Sequence, residues 1–321
     1  FRSLLINADV RSGTGAVTLL AGRHLTTAAA VAIATSGAGD LDLEATAGAL
    51  TLAATSTVTA GSGSIRLVAG TDVRLAQLLT TGRALVRAGA SILDNGAAGQ
   101  NVTAAAVRLE AGTGAGTTPT PLKLSTPLLA ATAGSAGLNV LSATALTIDA
   151  VSFTVAKVNA DFTTTLVNEG TLSDLTTTAN GSITLRTASG NLTLNDGADA
   201  DGLAVSAHGT GSVTLLPATG ANLLVNADVR SGTGVILLEA AAITLSSVAT
   251  VATTGGTLTL HATTGDVTMD SGSRLSSSGG LLTVQSAGRL LVSIIDSGTG
   301  AMALTTGADI VDNLATEAAN L

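Results

Sequence analysis

Asp40, Asp42 and Glu44 are the carboxylates whose spacing could do chemistry. They alternate with Leu41 and Leu43. In an extended strand, successive side chains point to opposite faces, so the three acids share one outer face. Several hard oxygen ligands together could hold Ca²⁺, and a pair of carboxylates could serve as acid and base in glycoside hydrolysis. In a second copy of the segment the matching residues are Thr257, Thr259 and His261. A strand that forms without the acids does not need them for folding, and the default reading is a solvated strand face. No metal is assigned beyond this Ca²⁺ candidate, and the Gly-Gly-x-Gly-x-Asp nonapeptide of calcium β-rolls is absent.

Other candidates reduce to local structure. His24, His208 and His261 stand far apart in sequence, without a second His at metal spacing, and read as single exposed side chains. Arg11 follows Asp9, and Arg230 follows Asp228; each pair reads as an ion pair at a corner, worth about 0 to 1 kcal/mol. Gly13-Thr14-Gly15, Gly61-Ser62-Gly63 and Gly112-Thr113-Gly114 resemble fragments of phosphate loops. With no following helix and no Lys they read as turns. No catalytic residue and no cofactor-binding residue is assigned.

Composition narrows the class of protein that must position these groups. Hydrophobic residues make up 45% of 321, yet Trp and Tyr are absent and Phe1, Phe153 and Phe162 are the aromatics. Rings normally fill globular cores, so an interior of Leu, Val, Ile and Ala suits a narrow, uniform one. A net charge of −8 without clustered Lys or Arg argues against nucleic acid as a partner. Zero cysteine excludes disulfides and thiolate metal sites. No apolar run reaches the roughly 18 to 20 residues of a spanning helix; residues 128–148 are interrupted by Gly134, Ser135, Gly137 and Asn139.

The elements follow from repetition. Asn7-Ala8-Asp9-Val10-Arg11-Ser12-Gly13-Thr14-Gly15 returns unchanged as Asn226-Ala227-Asp228-Val229-Arg230-Ser231-Gly232-Thr233-Gly234, 219 positions later. Inside this long period lies a short one. Val17-x-Leu19-x-Ala21, Leu41-x-Leu43-x-Ala45 and Ile65-x-Leu67-x-Ala69 start 24 residues apart. Val235-x-Leu237, Leu258-x-Leu260-x-Ala262 and Leu282-x-Val284 repeat that register. Alternation of this kind is a strand with one face buried, and corners such as Gly48 and Gly190 suit a positive φ. A helical reading fails, because the apolar residues recur at i, i+2 and Thr and Gly are abundant.

Short strands closing at a fixed interval predict an all-β fold, a right-handed parallel β-helix (solenoid) with coils of about 20 to 24 residues. About 13 to 15 coils at the strand spacing of about 4.8 Å would make a rod of roughly 65 Å. Residues 1–219 read as one long repeat unit of a continuous β-helix and 220–321 as an incomplete second copy, with no separate globular domain. The incomplete copy, together with Phe at position 1, leads to the expectation that the chain is a piece of a longer protein. Caps at the ends are not expected. Two stretches break the period. Pro119, Pro121 and Pro127 mark a corner, a loop excursion or a coil edge, and residues 149–180 predict a bulged coil or protruding loop.

The Gly-punctuated strands Gly181-Ser182-Ile183-Thr184-Leu185 and Gly190-Asn191-Leu192-Thr193-Leu194, with the stretch from Ile92-Leu93-Asp94-Asn95 to Val107-Arg108-Leu109-Glu110-Ala111-Gly112-Thr113-Gly114, resemble those of filamentous-haemagglutinin-like giant bacterial exoproteins. The resemblance implies a secreted or surface-attached adhesin that acts in adhesion, biofilm or cell contact. Its partners would be further copies of the repeat, end-to-end neighbours, and host, neighbouring-cell or matrix surfaces. It carries over no catalytic residue and no cofactor. The alternatives are a β-helix polysaccharide lyase or hydrolase and, third, an ice-binding solenoid presenting Thr257 and Thr259. The absence of Trp and Tyr platforms weighs against the enzyme, and outward residues that vary from coil to coil weigh against ice binding.

Overall fold

The computed structural model describes residues 2–314. Among them there is no helix; parallel strands stack as a β-solenoid of about 13 turns with about 23 residues per coil. The chain falls into two compact units. One comprises Phe1–Ala133, Asn139–Ala143 and Val151–Leu172, the other Gly134–Leu138, Thr144–Ala150 and Ser173–Leu321. This division lies elsewhere than the repeat boundary near residue 220, because compactness and sequence repetition are different properties. Expectations about caps at the two ends fall outside the described residues.

In the first unit a turn consists of two short strands and a longer one. Leu25–Thr27, Ala32–Thr35 and Leu41–Ala45 pair in parallel with Leu50–Thr51, Thr57–Ala60 and Ile65–Ala69 of the next turn. The longer strands build a ladder from Val17–Ala21 through Arg83–Ala88 and Ala106–Ala111 to Leu128–Ala133. Its register stacks Leu43, Leu67, Val86, Leu109 and Ala131 in one column with no exposed surface. A slip of one residue would turn that column to solvent, so the alternation in sequence fixes the register. The second unit repeats the plan with Ile243–Leu245, Thr250–Thr253 and Leu258–Ala262 under Val267–Met269, Arg274–Ser276 and Leu282–Ser286.

Corner glycines are required for two different reasons. Gly190 has φ +75°, as the turn reading expects. Gly48 is not in the left-handed region; a Cβ there would lie 2.5 Å from the carbonyl oxygen of Arg23 one coil earlier. The same close approach runs through the repeats. A Cβ on Gly63 would lie 2.2 Å from the Gly39 oxygen, one on Gly256 2.1 Å from the Gly234 oxygen, and one on Gly280 2.0 Å from the Gly256 oxygen. Hydroxyls complete the corner: Thr35 Oγ1 donates to the Gly39 carbonyl at 2.6 Å, and Ser277 Oγ to the Gly280 carbonyl at 2.7 Å. The prolines sit at corners too, Pro119 and Pro121 before Leu122–Ser125 and Pro127 after it.

The departure at residues 149–180 is an antiparallel hairpin, Val151–Val158 with Thr164–Leu172. It does not protrude as expected of a loop. Phe153 and Val155 are buried against Leu85, with Val68 and Val167 packed beside them, and Val151 is buried against Ala106 and Ala130. Leu85 and Ala130 are in register with the outward residues Arg66 and Arg108 of their ladder. Outward apolar residues would stay wet without the hairpin, and covering them favours the folded-back position.

Candidate functional site

The ladder of the first unit places Asp42 beside Arg66, and Glu44 beside Val68. Over them lies the hairpin. Arg66 Nη1 donates to Asp42 Oδ1 at 2.8 Å and also to Glu44, while its Nε donates to Glu169 of the hairpin at 2.7 Å. Lys157, also from the hairpin, reaches Glu44 at 2.9 Å. Arg87 bridges Glu110 at 2.9 Å and Glu169 at 2.8 Å. Arg108 holds Glu110 at 2.6 Å and donates to the carbonyls of Glu169 and Gly170. Arg66, Arg87, Arg108 and Lys157 thus face Asp42, Glu44, Glu110 and Glu169, and their charges cancel.

The three carboxylates singled out by spacing do share a face, but that face is not solvated: Asp42 has no exposed surface. Asp40 holds backbone, its Oδ1 accepting from Ser64 N–H and its Oδ2 from Ala156 N–H of the hairpin, both at 2.7 Å. Burial pushes the Asp42 carboxyl up against the pull of Arg66. Glu44, despite burial, is held below its ordinary range by Lys157 and Arg66, and Glu169 likewise by Arg87 and Arg66. With each acid engaged by a cation or an N–H, the arrangement fastens the hairpin to the solenoid. In the second copy Thr259 and His261 occupy the matching positions and stay half-exposed.

The remaining candidates serve coil stacking. Asp9 and Asp228 do pair locally, with Arg11 at 2.8 Å and Arg230 at 2.6 Å. Each has a second role that its sequence neighbours did not reveal. Asp9 Oδ1 accepts from Ala32 N–H at 2.8 Å and Asp228 Oδ1 from Thr250 N–H at 2.7 Å, one coil onward in both copies. The Ala32 N–H, then Arg11, holds the Asp9 carboxyl below its ordinary range. His208 is exposed as expected, but His24 and His261 are half-buried. His24 Nδ1 accepts from Ala49 N–H at 3.0 Å, and His261 Nδ1 lies 3.2 Å from Glu239. Two similar segments, Ser91-Ile92-Leu93-Asp94-Asn95 and Asp309-Ile310-Val311-Asp312-Asn313, end in asparagines that act alike: Asn95 and Asn313 donate to the carbonyls of Leu52 and Met269 at 2.8 and 2.7 Å.

Spacing alone misses one group. Asp174, Asp199 and Asp201 bring carboxylate oxygens within 4.8 Å of one another, and among the described residues this is the one trio of metal-ligating side chains so placed. Its sequence signal is the acid-rich corner Asp196-Gly197-Ala198-Asp199-Ala200-Asp201-Gly202. Asp174 comes from the preceding coil, since Leu175 pairs with Val205.

No family model matches the chain, and neither a curated protein nor a solved structure does. The class of protein rests on the fold: a parallel β-solenoid carrying an antiparallel hairpin on one face of its first unit. No helix among the described residues is long and apolar enough to cross a membrane.

Proposed function

We propose that this chain is a non-catalytic structural segment, a rod stretch of a very long secreted or surface-attached bacterial adhesin or extracellular filament. The observation that carries the reading is the dual use of the repeated nonapeptide. In both copies its Asp pairs with Arg two residues on and accepts the N–H of the next coil, so the best-kept phrase in the sequence is a stacking device. The largest charged cluster is balanced internally and buries its Asp42, which leaves no exposed acid pair there for polysaccharide cleavage. The adhesin identity draws on the resemblance of the Gly-punctuated strands to filamentous-haemagglutinin-like exoproteins. Repeated coils suit association with further copies, along one chain or end to end.

Electron micrographs of the native full-length protein test the reading. Filaments of uniform width, located at the cell surface by immunolabelling, are expected. A compact particle, or turnover of any substrate on a panel of uronate-containing and neutral polysaccharides, would overturn it.

A further inference from the structure

On the hairpin-covered face the four carboxylates Asp42, Glu44, Glu110 and Glu169 each meet an Arg or Lys. The corner of the second unit around Asp174 does the opposite. Asp149, Asp174, Asp196, Asp199 and Asp201 gather there, and among the described residues none of the five takes part in an ion pair with Arg, Lys or His. Two are occupied by other work. Asp149 accepts from Ala150 N–H and Asn195 Nδ2, and Asp196 accepts from Gly202 N–H. Asp201 gives one oxygen to Leu203 N–H.

Asp174 is the anomaly. It is 2% exposed, and its Oδ1 is buried without a hydrogen-bond partner. That carboxylate converges with those of Asp199 and Asp201, which are exposed. Gly197 keeps the space beside it open: a Cβ there would lie 3.3 Å from Asp174 Oδ1 and collide with Ser173. A buried carboxylate is normally paired or bound to a metal, and here the missing positive charge has a place with three oxygen donors around it.

We propose that Asp174, Asp199 and Asp201 bind a Ca²⁺ ion. An all-carboxylate set without His or Cys selects a hard cation. Carboxylate oxygens within 4.8 Å of one another need only a small inward movement to share a central ion at Ca–O distances of about 2.3 to 2.6 Å. Asp199 and Asp201 belong to an exposed corner open to water, which suits the large, adaptable coordination shell of Ca²⁺ better than the rigid octahedron of Mg²⁺. The ion would tie the corner at residues 195–202 to the start of Leu175–Thr177 in the preceding coil, so binding is coupled to the stacking of those two coils. This inference stands on the corner's geometry and is independent of the adhesin reading.

Isothermal titration of the whole chain, treated with chelator, is the test. One Ca²⁺ per chain is expected, with a dissociation constant on the order of 10⁻⁴ to 10⁻³ M, the range of extracellular modules. The melting temperature followed by circular dichroism should rise by about 5 °C at about 10 mM Ca²⁺, with Mg²⁺ giving less than half of that. Asp199→Asn with Asp201→Asn, both at exposed positions, should abolish the heat of binding and the Ca²⁺-dependent shift. If that double variant does not fold, Asp174→Asn carries the same expectation. The proposal is overturned by the absence of saturable binding up to about 10 mM, by binding that survives these substitutions, or by a Mg²⁺ shift as large as that of Ca²⁺.

Discussion

Arg66→Met removes one positive charge from beneath the hairpin and keeps most of the side chain's length. The cost follows from what is left behind. Asp42 has no exposed surface, its Oδ2 has no hydrogen-bond partner, and its Oδ1 depends on Arg66 at 2.8 Å. Glu44 and Glu169 lose less, since Lys157 and Arg87 still hold them. Two unit charges about 4 Å apart attract by about 4 kcal/mol at an effective dielectric constant of about 20, and breaking a buried pair costs about 3 to 5 kcal/mol. The loss is therefore expected near 3 to 5 kcal/mol at neutral pH, against about 0 to 1 kcal/mol for Arg274→Met, whose partner Asp296 is nearly half exposed. Without Trp or Tyr, unfolding is followed by far-ultraviolet circular dichroism in urea. Amide exchange at Ala156 and Val158, whose N–H groups bond Asp40 and Thr18, reports separately on detachment of the hairpin. The variant also acquires a pH signature. Burial already raises the Asp42 carboxyl, and Arg66 opposes it. Without Arg66 that rise grows, so the variant's stability falls more steeply than the wild type's as pH rises above the ordinary carboxylate range, and the difference is recovered on acidification. A loss below about 1 kcal/mol, the value of an exposed pair, or a loss equal at neutral and acid pH, would refute the reasoning.

Further predictions concern the corners. Gly256→Ala puts a Cβ 2.1 Å from the Gly234 carbonyl oxygen; the backbone must move, and a loss of about 2 kcal/mol or more is expected. Gly13→Ala meets nothing within 4 Å and should be neutral or stabilising by up to about 1 kcal/mol, so equal melting temperatures for the two variants would contradict the stacking account. Asp228→Ala leaves Thr250 N–H without its acceptor and should cost about 1 to 3 kcal/mol, seen as faster exchange of the Thr250 amide. In chelator, the Asp174 carboxyl is pushed up to about 7 by burial first, then by Asp199, Asp201, Asp196 and Asp149. A raised folded value makes an acid destabilising once ionised, so wild-type stability should decline as pH rises from about 4 to about 7, by at most about 4 kcal/mol. Asp174→Asn should remove that slope in a series of urea titrations.

Much of the fold is legible along the chain. Leu41-x-Leu43-x-Ala45 and its counterparts at residues 65 and 258 announce both the strand and its buried face, and the 24-residue spacing in the first copy announces the coil, because alternation and coil length are local properties of the backbone. Val235-x-Leu237 is one residue out, since Ile236 and Leu238 are buried and Val235 is exposed, the run Val235-Ile236-Leu237-Leu238 being apolar on both faces. The ion pair of Asp9 with Arg11 is local in the same way. Its bond to Ala32 N–H is not, since that group comes within reach only when the next coil is laid down.

What the sequence alone determined, then, is the solenoid: a period of two within each strand, a recurring corner, and an interior of small aliphatic side chains. The tertiary structure decided which outer face stays wet. Asp42 and Thr259 hold equivalent positions in the two copies, yet the first is sealed beneath the hairpin Val151–Val158 and Thr164–Leu172 while the second is half-exposed. Asp174 meets Asp199 and Asp201 only because Leu175 lies in register with Val205. The physical reason is common to both cases. Strand alternation sets the direction of each side chain, but its surroundings, and with them its charge and pairing, are set by whatever the chain places over it one coil or many residues away.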